Sequence, residues 1–196
     1  MSTTTPGELS AATVIELIES ARYPRDVVMT IARGFLPLPQ EDLVAVLAYL
    51  AGSGDGDIAG TAKTSLSDMP TRVLLEFAAN ESVDPTHLMR LMNASSDAAV
   101  LESLIRNRSV PDHAIAAMAG NAEPALQEII VINQARIIRA PEILDALLAN
   151  PRLSPETKRR ALENREEFFD KKARLAAVAD LVEPELLAEP DDAIAD

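Results

Sequence analysis

The sequence predicts an all-α fold, and three observations support this prediction. Apolar residues make up 47% of the chain but aromatic residues only 3%, so the core must be built from Leu, Ile, Val, Ala and Met. Side chains of this kind favour thin layers of packed helices over a sandwich organised by large rings. Signals for the start of a helix recur about every 15 residues, and the stretch from Leu74 to Gly120 presents the same helix-connector-helix pattern twice.

The start signals are mostly prolines, which suit the first turn of a helix, together with Asp and Ser, which cap it. They lie at or near Pro24, Pro39, Asp55, Pro70, Pro85, Ser96, Pro111, Pro124, Pro141 and Pro155. Two such helices form a unit of roughly 30 residues, the length at which stacked helical repeats occur. The spacing therefore predicts a short α-solenoid of about ten to twelve helices.

Four helices are predicted before the repeated stretch. The first covers Leu9 to Ser20, with Val14, Leu17 and Ile18 at helical spacing as its buried stripe. The second ends at Gly34, which cannot easily continue a helix. The second, third and fourth helices cover residues 24–33, 40–51 and 57–66.

Each repeated helix is followed by an asparagine at the same place, and these residues are Asn80, Asn107 and Asn150. The last carbonyls of a helix lack intrahelical donors, and a left-handed residue lets the chain reverse and satisfy them. Because Asn tolerates that conformation best after Gly, we expect these asparagines to be left-handed helix caps. The residues three positions later, Val83, Val110 and Leu153, are expected to pack the connectors onto the core.

The pattern Asn-x-x-(Val or Leu)-x-Pro before a Leu-rich helix is best seen in Leu148-Ala-Asn150-Pro151-Arg-Leu153-Ser-Pro155. It resembles the bacterial leucine-rich repeat variant and, more broadly, the HEAT and armadillo-like α-solenoids, over roughly residues 70–164. The resemblance implies a right-handed solenoid that presents its surface to protein partners. The spacing departs from the pattern between Asn133 and Asn150. Because the chain has no cysteine for a cluster of the kind associated with that family, no cofactor is implied.

The next segment is the least regular. Residues 123–132 are predicted to form a helix buried on several sides because of their nearly continuous apolar run, and a parallel strand is the rival interpretation. Arg136 and Arg139 follow, three residues apart, so that on a helix they share a face. They either clamp a carboxylate or phosphate, or pair with neighbouring Glu side chains and carbonyls.

Residues 154–179 are predicted to form one long helix with Ser154 as its N-cap. Its sparse apolar contacts are Leu162, Phe168 or Phe169, Leu175 and Val178. Lys158, Arg159 and Arg160 lie among glutamates at spacings suited to local salt bridges, each worth only about 0.2–0.5 kcal/mol. These cations either belong to a solvated face or contact nucleic acid.

The formal net charge of −13 argues against broad attraction to nucleic acid or to anionic lipid. Its distribution is uneven, since residues 136–174 contain 10 basic and 7 acidic side chains and the chain then turns wholly acidic. We expect a disordered N-terminus at residues 1–7, a single repeat domain at 8–179, and an acidic, disordered tail at 180–196 that folds back on the basic block. The absence of an export signal or long apolar run predicts a cytoplasmic protein.

A catalytic or metal site is not predicted. His87 and His113 occupy equivalent positions in successive repeats and could meet a metal with help from Asp84 or Asp112, but polar residues are ordinary in a first helical turn. The chain lacks the serine-hydrolase, phosphate-loop and zinc-protease motifs. It also lacks the cysteines that disulfides, thiolate metal sites or a thiol nucleophile require.

The pattern as a whole predicts a non-enzymatic adaptor or scaffold that binds a protein partner through its repeated second helices. The candidate contacts are Thr86, His87, Arg90, Asp112 and His113. Two alternatives stay open. One is nucleic-acid binding through the basic segment, with contacts from Arg136, Arg139, Lys158, Arg159 and Arg160. The other is a homo-oligomeric structural element whose uncovered solenoid end stacks on its copy.

Overall fold

The computed structural model describes residues 9–176, and all regular secondary structure in this range is helical. The all-α prediction is confirmed, and the rival strand at residues 123–132 is wrong. Both predicted disordered ends, residues 1–7 and 180–196, lie outside the described residues. The helices are α1 (Ala11–Glu19), α2 (Arg25–Ala32), α3 (Gln40–Leu50), α4 (Gly56–Ser67), α5 (Thr71–Ala79), α6 (Pro85–Ala94), α7 (Ala98–Arg106), α8 (Asp112–Ala119), α9 (Pro124–Ile132), α10 (Gln134–Arg139), α11 (Glu142–Leu148), α12 (Pro155–Arg165) and a π-helical turn (Glu166–Asp170).

Most helices begin at or next to the predicted start residues. Pro85, Pro124 and Pro155 occupy the first turn of their helices, where the missing N–H costs nothing. Asp55 caps α4 as expected. The predicted start at Ser96 is displaced by one residue, because the side chain of Asp97 accepts hydrogen bonds from the first N–H groups of α7.

The chain forms two compact units, Met1–Met118 and Ala119–Asp196, of which residues 9–118 and 119–176 are described. The prediction of one domain over residues 8–179 stays a prediction. At the centre of the first unit lies α3, which contacts α1, α2, α4, α5 and α6. Its residues from Val44 to Ala48 are all buried. An apolar helix of this kind is stable only where neighbours cover it on several sides.

The buried stripe of α1 differs from the prediction. Ala11, Val14 and Ile15 are buried, whereas Leu17 and Ile18 are only half-buried. The N–H of Ala11 donates to Oδ1 of Asp42 at 3.0 Å, which ties the first turn of α1 to α3. This contact turns the Ala11 side of the helix inward.

In the second unit, α12 packs on α9 and α11. The apolar run at the end of α9, expected to be buried on several sides, is buried at Ile130 and Val131, whereas Ile132 is 53% exposed. Four consecutive residues span most of the circumference of a helix, and only part of that circumference meets α12.

The long helix predicted over residues 154–179 is present over the described residues, from Pro155 to residue 176. Its α-helical part α12 ends at Arg165, and the π-helical turn joins it without a break to helical residues 171–176. Leu162 and Leu175 are exposed, Phe168 and Phe169 are half-buried, and Val178 lies outside the described residues. The face that α12 buries consists instead of Thr157, Ala161 and Asn164. Asn164 can be buried on this face because its Nδ2 donates to the carbonyl of Val131 at 2.9 Å.

The repeated asparagines are not left-handed caps. Asn80 and Asn107 have extended backbones, with φ of −75° and −70°, and positive φ occurs in the described chain only at Ala21 and Gly34. The prediction was wrong because it considered the backbone alone. The side chain of Asn107 supplies the hydrogen bonds that the turn needs.

The Asn107 side chain binds the end of α5 and the start of the connector that follows it. Its Nδ2 donates to the carbonyls of Ala78 and Asn80, at 2.8 and 3.3 Å, and its Oδ1 accepts from the N–H of Ser109 at 2.8 Å. The residue is only 3% exposed. A single side-chain amide thus provides hydrogen-bond partners for backbone groups at the end of α5 and in the connector that follows Asn107.

Asn150 repeats this arrangement in the second unit. Its Nδ2 donates to the carbonyls of Ala119 and Ala122 at 2.9 and 3.0 Å, and its Oδ1 accepts from the N–H of Arg152 at 2.8 Å. We call Asn107 and Asn150 the asparagine clamps. Asn80 is half-buried and makes only the local half of the pattern, in which its Oδ1 accepts from the N–H of Ser82. Of the residues three positions on, Val83 and Val110 are buried as predicted, and Leu153 is half-buried.

Candidate protein-interaction surface

The most distinctive surface cluster in the first unit lies where α1, α3 and α6 meet. The guanidinium carbon of Arg90, on α6, lies 4.7 Å from the ring centroid of Tyr49, on α3. A cation at this distance is attracted by the electron-rich face of the ring. Together with Glu19 and His87 we call these residues the Tyr49–Arg90 face.

Sequence reasoning identified two members of this face, His87 and Arg90, and missed Tyr49 and Glu19. A signal for Tyr49 existed. It is the one polar side chain in the apolar run of α3, and it is half-buried where the residues from Val44 to Ala48 are buried. An aromatic residue at the edge of a buried helix marks the place where a core reaches the surface.

Arg90 is a cation that the structure leaves available. Among the described residues it has no carboxylate within salt-bridge distance, and the Tyr49 ring covers one side of its half-buried guanidinium. Burial raises the pKa of the Tyr49 hydroxyl, and the negative charge of Glu19 adds to this effect while Arg90 opposes it. The phenol therefore keeps its proton at neutral pH and can act as a hydrogen-bond donor.

His87 lies one turn before Arg90 on the same helix. Its Nδ1 is buried and has no hydrogen-bond partner in the described chain. Burial lowers the pKa of His87, the charge of Arg90 lowers it further, and the carboxylates of Asp84 and Asp42 oppose the shift. The imidazole is therefore mostly neutral at pH 7.

The remaining adaptor candidates occupy different positions. Thr86 is exposed, and its N–H donates to Oδ1 of Asp84 at 2.7 Å, which caps α6. Asp112 and His113 begin another helix, α8, where Asp112 is half-buried and His113 is exposed. Within residues 9–176, no three His, Asp or Glu side chains come close enough to hold a metal ion.

The basic segment is largely occupied by its own carboxylates. Arg159 bridges Glu156 and Glu163, and Arg160 donates to Glu156. These hydrogen bonds lower the pKa of Glu156, that from Arg159 most strongly. Of the other cations in this part of the chain, Arg152, Arg165, Lys171 and Arg174 also pair with Asp or Glu.

Of the two arginines of α10, one is buried and the other is exposed. Arg136 is 5% exposed and so lies in the interior of the second unit, whereas Arg139 is exposed. Both take part in interactions within the protein. Lys158 is exposed and makes no ion pair within the described chain. The geometry therefore does not bring the five predicted contacts together as one open cationic surface.

Comparison with protein-family models, with curated proteins and with solved structures finds no match to this chain. No helix over residues 9–176 combines the length and the apolar character that crossing a bilayer requires.

Proposed function

We propose that this protein is a non-enzymatic protein–protein interaction module that binds its partner through the Tyr49–Arg90 face. The observation that carries the proposal is the contact of the Arg90 guanidinium with the Tyr49 ring, with no carboxylate of residues 9–176 within salt-bridge distance of Arg90. Tyr and Arg are enriched at protein interfaces and dominate their binding energy. A stacked arginine also loses little conformational freedom on binding, because the ring already holds its position.

The chemistry of the face favours a partner that offers a carboxylate or carbonyl oxygen. The free edge of the Arg90 guanidinium presents several N–H donors, which match a carboxylate in a bidentate way. Glu19, whose negative charge raises the pKa of Tyr49, would repel an acidic group that came close to it.

The proposed architecture is an α-solenoid, as the resemblance to HEAT-like and leucine-rich-repeat-variant proteins implies. Support comes from the asparagine clamps, which form the same three hydrogen bonds at two places in the chain. Contacts in the first unit also join helices that are near in sequence, such as α1 with α3 and α5 with α7. Repeats in which each unit contacts its neighbours are typical of solenoids.

A pull-down with matched arginine variants tests the interaction. Arg90→Ala removes the stacked cation, whereas Arg72→Ala removes an exposed arginine of α5 that pairs with Glu76 on its own helix. We expect Arg90→Ala to lower recovery of a specific protein partner by about tenfold or more, as expected for a hot-spot residue. Arg72→Ala is expected to leave recovery unchanged.

The bait is the full chain, and each extract is divided into samples with and without nuclease. Equal recovery with both variants would remove the Tyr49–Arg90 face from the proposal. Loss of all bound protein on nuclease treatment would favour the nucleic-acid alternative, which gains no support from the paired cations of the basic segment. A homo-oligomeric role and a cytoplasmic location stay predictions.

A further inference from the structure

A second feature of the first unit is a surface cavity of about 200 Å³. It lies where α4 and α6 end and α5 and α7 begin. Its buried floor is formed by Leu66, Leu74 and Leu91. Its volume is below the roughly 300–1,000 Å³ typical of small-molecule sites, but it suits a single long side chain.

The rim of the cavity is polar and carries one formal charge. Four hydroxyl residues line it, and they are Ser67, Thr71, Ser95 and Ser96. Asp97 is the one ionisable residue that lines the cavity in the part of the chain that the structure describes. Its Oδ1 caps α7 by accepting from the N–H groups of Ala99 and Val100, and its Oδ2 accepts nothing from residues 9–176. The charged rim thus keeps an unused acceptor.

The helix ends around the cavity also favour a cation on balance. The carbonyl ends of α4 and α6 carry partial negative charge, whereas the N–H ends of α5 and α7 carry partial positive charge. Asp97 neutralises the start of α7 and adds a full negative charge. A bound group with apolar length and a positive, hydrogen-bonding head satisfies both the leucine floor and this rim.

We propose that this cavity receives an arginine side chain of the protein partner. The methylene stem would lie against Leu66, Leu74 and Leu91, and the guanidinium would donate to Asp97 Oδ2 and to the rim hydroxyls. Arginine fits better than lysine because its five donors lie in a plane and reach acceptors spread around a rim. The net charge of −13 further attracts a basic partner segment. This inference rests on the proposed function only in that a partner supplies the arginine.

The test is an NMR titration that needs no partner. N-acetyl-arginine methylamide is added to the full chain labelled with ¹⁵N, and the amide signals of Leu74, Leu91 and Asp97 are followed. The citrulline derivative is the neutral analogue of the same shape, the lysine derivative keeps the charge and an apolar stem without the planar donors, and the leucine derivative tests apolar burial alone. We expect the arginine derivative to bind with a dissociation constant about tenfold or more below those of the other three, because it alone combines a charge with a planar set of donors.

Two variants localise the effect. Asp97→Asn removes the charge but keeps a residue that caps a helix as well as Asp does, so α7 is retained. Asp84→Asn makes the same change at the cap of α6, outside the cavity. Asp97→Asn should abolish the preference for arginine over citrulline, and Asp84→Asn should preserve it. Ala94→Leu, which fills the cavity, should abolish the signal changes at Leu74 and Leu91.

The proposal is overturned if no derivative shifts these signals, if citrulline, lysine or leucine binds as strongly as arginine, or if Asp97→Asn keeps the preference. Circular dichroism of each variant establishes that it is folded before titration. Because this readout does not involve the Tyr49–Arg90 face, a failed titration leaves the Arg90→Ala pull-down unaffected, and the reverse also holds.

Discussion

At the scale of single residues, a buried side-chain amide joins two segments of the chain through hydrogen bonds. The Asn107 side chain pairs with three backbone groups at a helix end and in two connectors: the carbonyls of Ala78 and Asn80 and the N–H of Ser109. An amide has both donors and acceptors on one rigid group, so it can join two segments that each present only one kind. Because the clamp is buried, water cannot replace it at low cost.

We predict that Asn107→Ala lowers the free energy of unfolding by about 2–3 kcal/mol, because buried carbonyls and an N–H lose their partners. Asn80→Ala is the matched control, since Asn80 makes one local hydrogen bond and is half-buried. It should cost about 1 kcal/mol or less. Urea unfolding followed by circular dichroism measures both, and equal losses would show that the clamp is not responsible for the difference.

The lowered pKa of His87 predicts a pH dependence of stability. The unfolded chain takes up a proton on this histidine near the ordinary pKa of 6.5, whereas the folded chain does so only at lower pH. The unfolded state therefore binds more protons in that interval, and stability must fall as the pH drops below about 6.5. At pH 7 and above, the imidazole is mostly neutral in both the folded and the unfolded chain, so His87 lowers stability little there.

Urea midpoints measured between pH 7.5 and 5.5 test this dependence. His87→Gln should remove the part of the fall that begins near pH 6.5, while His113→Gln, a change at the exposed histidine of α8, should keep it. If the wild type and His87→Gln lose stability in parallel over this range, the buried imidazole is not its cause.

At the scale of helices, polar residues in buried positions decide how the second unit packs. Gln127 is fully buried in the otherwise apolar face of α9. Its Nε2 donates to the carbonyls of Ala122 and Arg152 at 2.8 and 3.0 Å, and its Oε1 accepts from the N–H of Ser154 at 3.0 Å. The side chain therefore fixes where the connector before α12 lies against α9.

We predict that Gln127→Leu destabilises the protein by about 1–3 kcal/mol although it makes the buried face more apolar. The carbonyl of Arg152 and the N–H of Ser154 would lose their partner, whereas the carbonyl of Ala122 would keep Asn150. Gln134→Leu, at an exposed position at the start of α10, should change stability by no more than about 0.5 kcal/mol. A neutral or stabilising Gln127→Leu, measured by urea unfolding, would contradict this role.

The same residues explain which helices could be predicted from the sequence. Proline and capping residues act on the next turn of chain, so most helix starts were correct. The buried face of α12 was wrong because Asn164 and Thr157 look like surface residues until Val131, 33 residues earlier, is in place. For the candidate surface, His87 and Arg90 were predicted as contacts on one repeated helix, but no local pattern indicates that Tyr49 lies beneath Arg90.

At the scale of the molecule, composition and the spacing of prolines and capping residues were enough to predict the all-α fold class. They did not predict the hydrogen bonds that hold the connectors in place. The low aromatic content correctly indicated a core of packed helices. Two of the three predicted asparagines, Asn107 and Asn150, form the same hydrogen bonds, but their role was wrongly assigned from backbone conformation. Their long-range hydrogen bonds, 27 to 31 residues back along the chain, leave no mark in the sequence except the asparagine itself.

The asparagine clamps have a consequence for how such a chain can evolve. Each clamp binds main-chain carbonyls of the preceding segment, and every amino acid has one. The segment that is bound can therefore change its side chains without losing the contact, provided that its backbone course is kept. A duplicated unit needs to preserve one amide and its connector while the remaining positions diverge, and no paired substitutions are expected between a clamp and its acceptors. Copies that have become dissimilar in sequence can in this way remain alike in geometry.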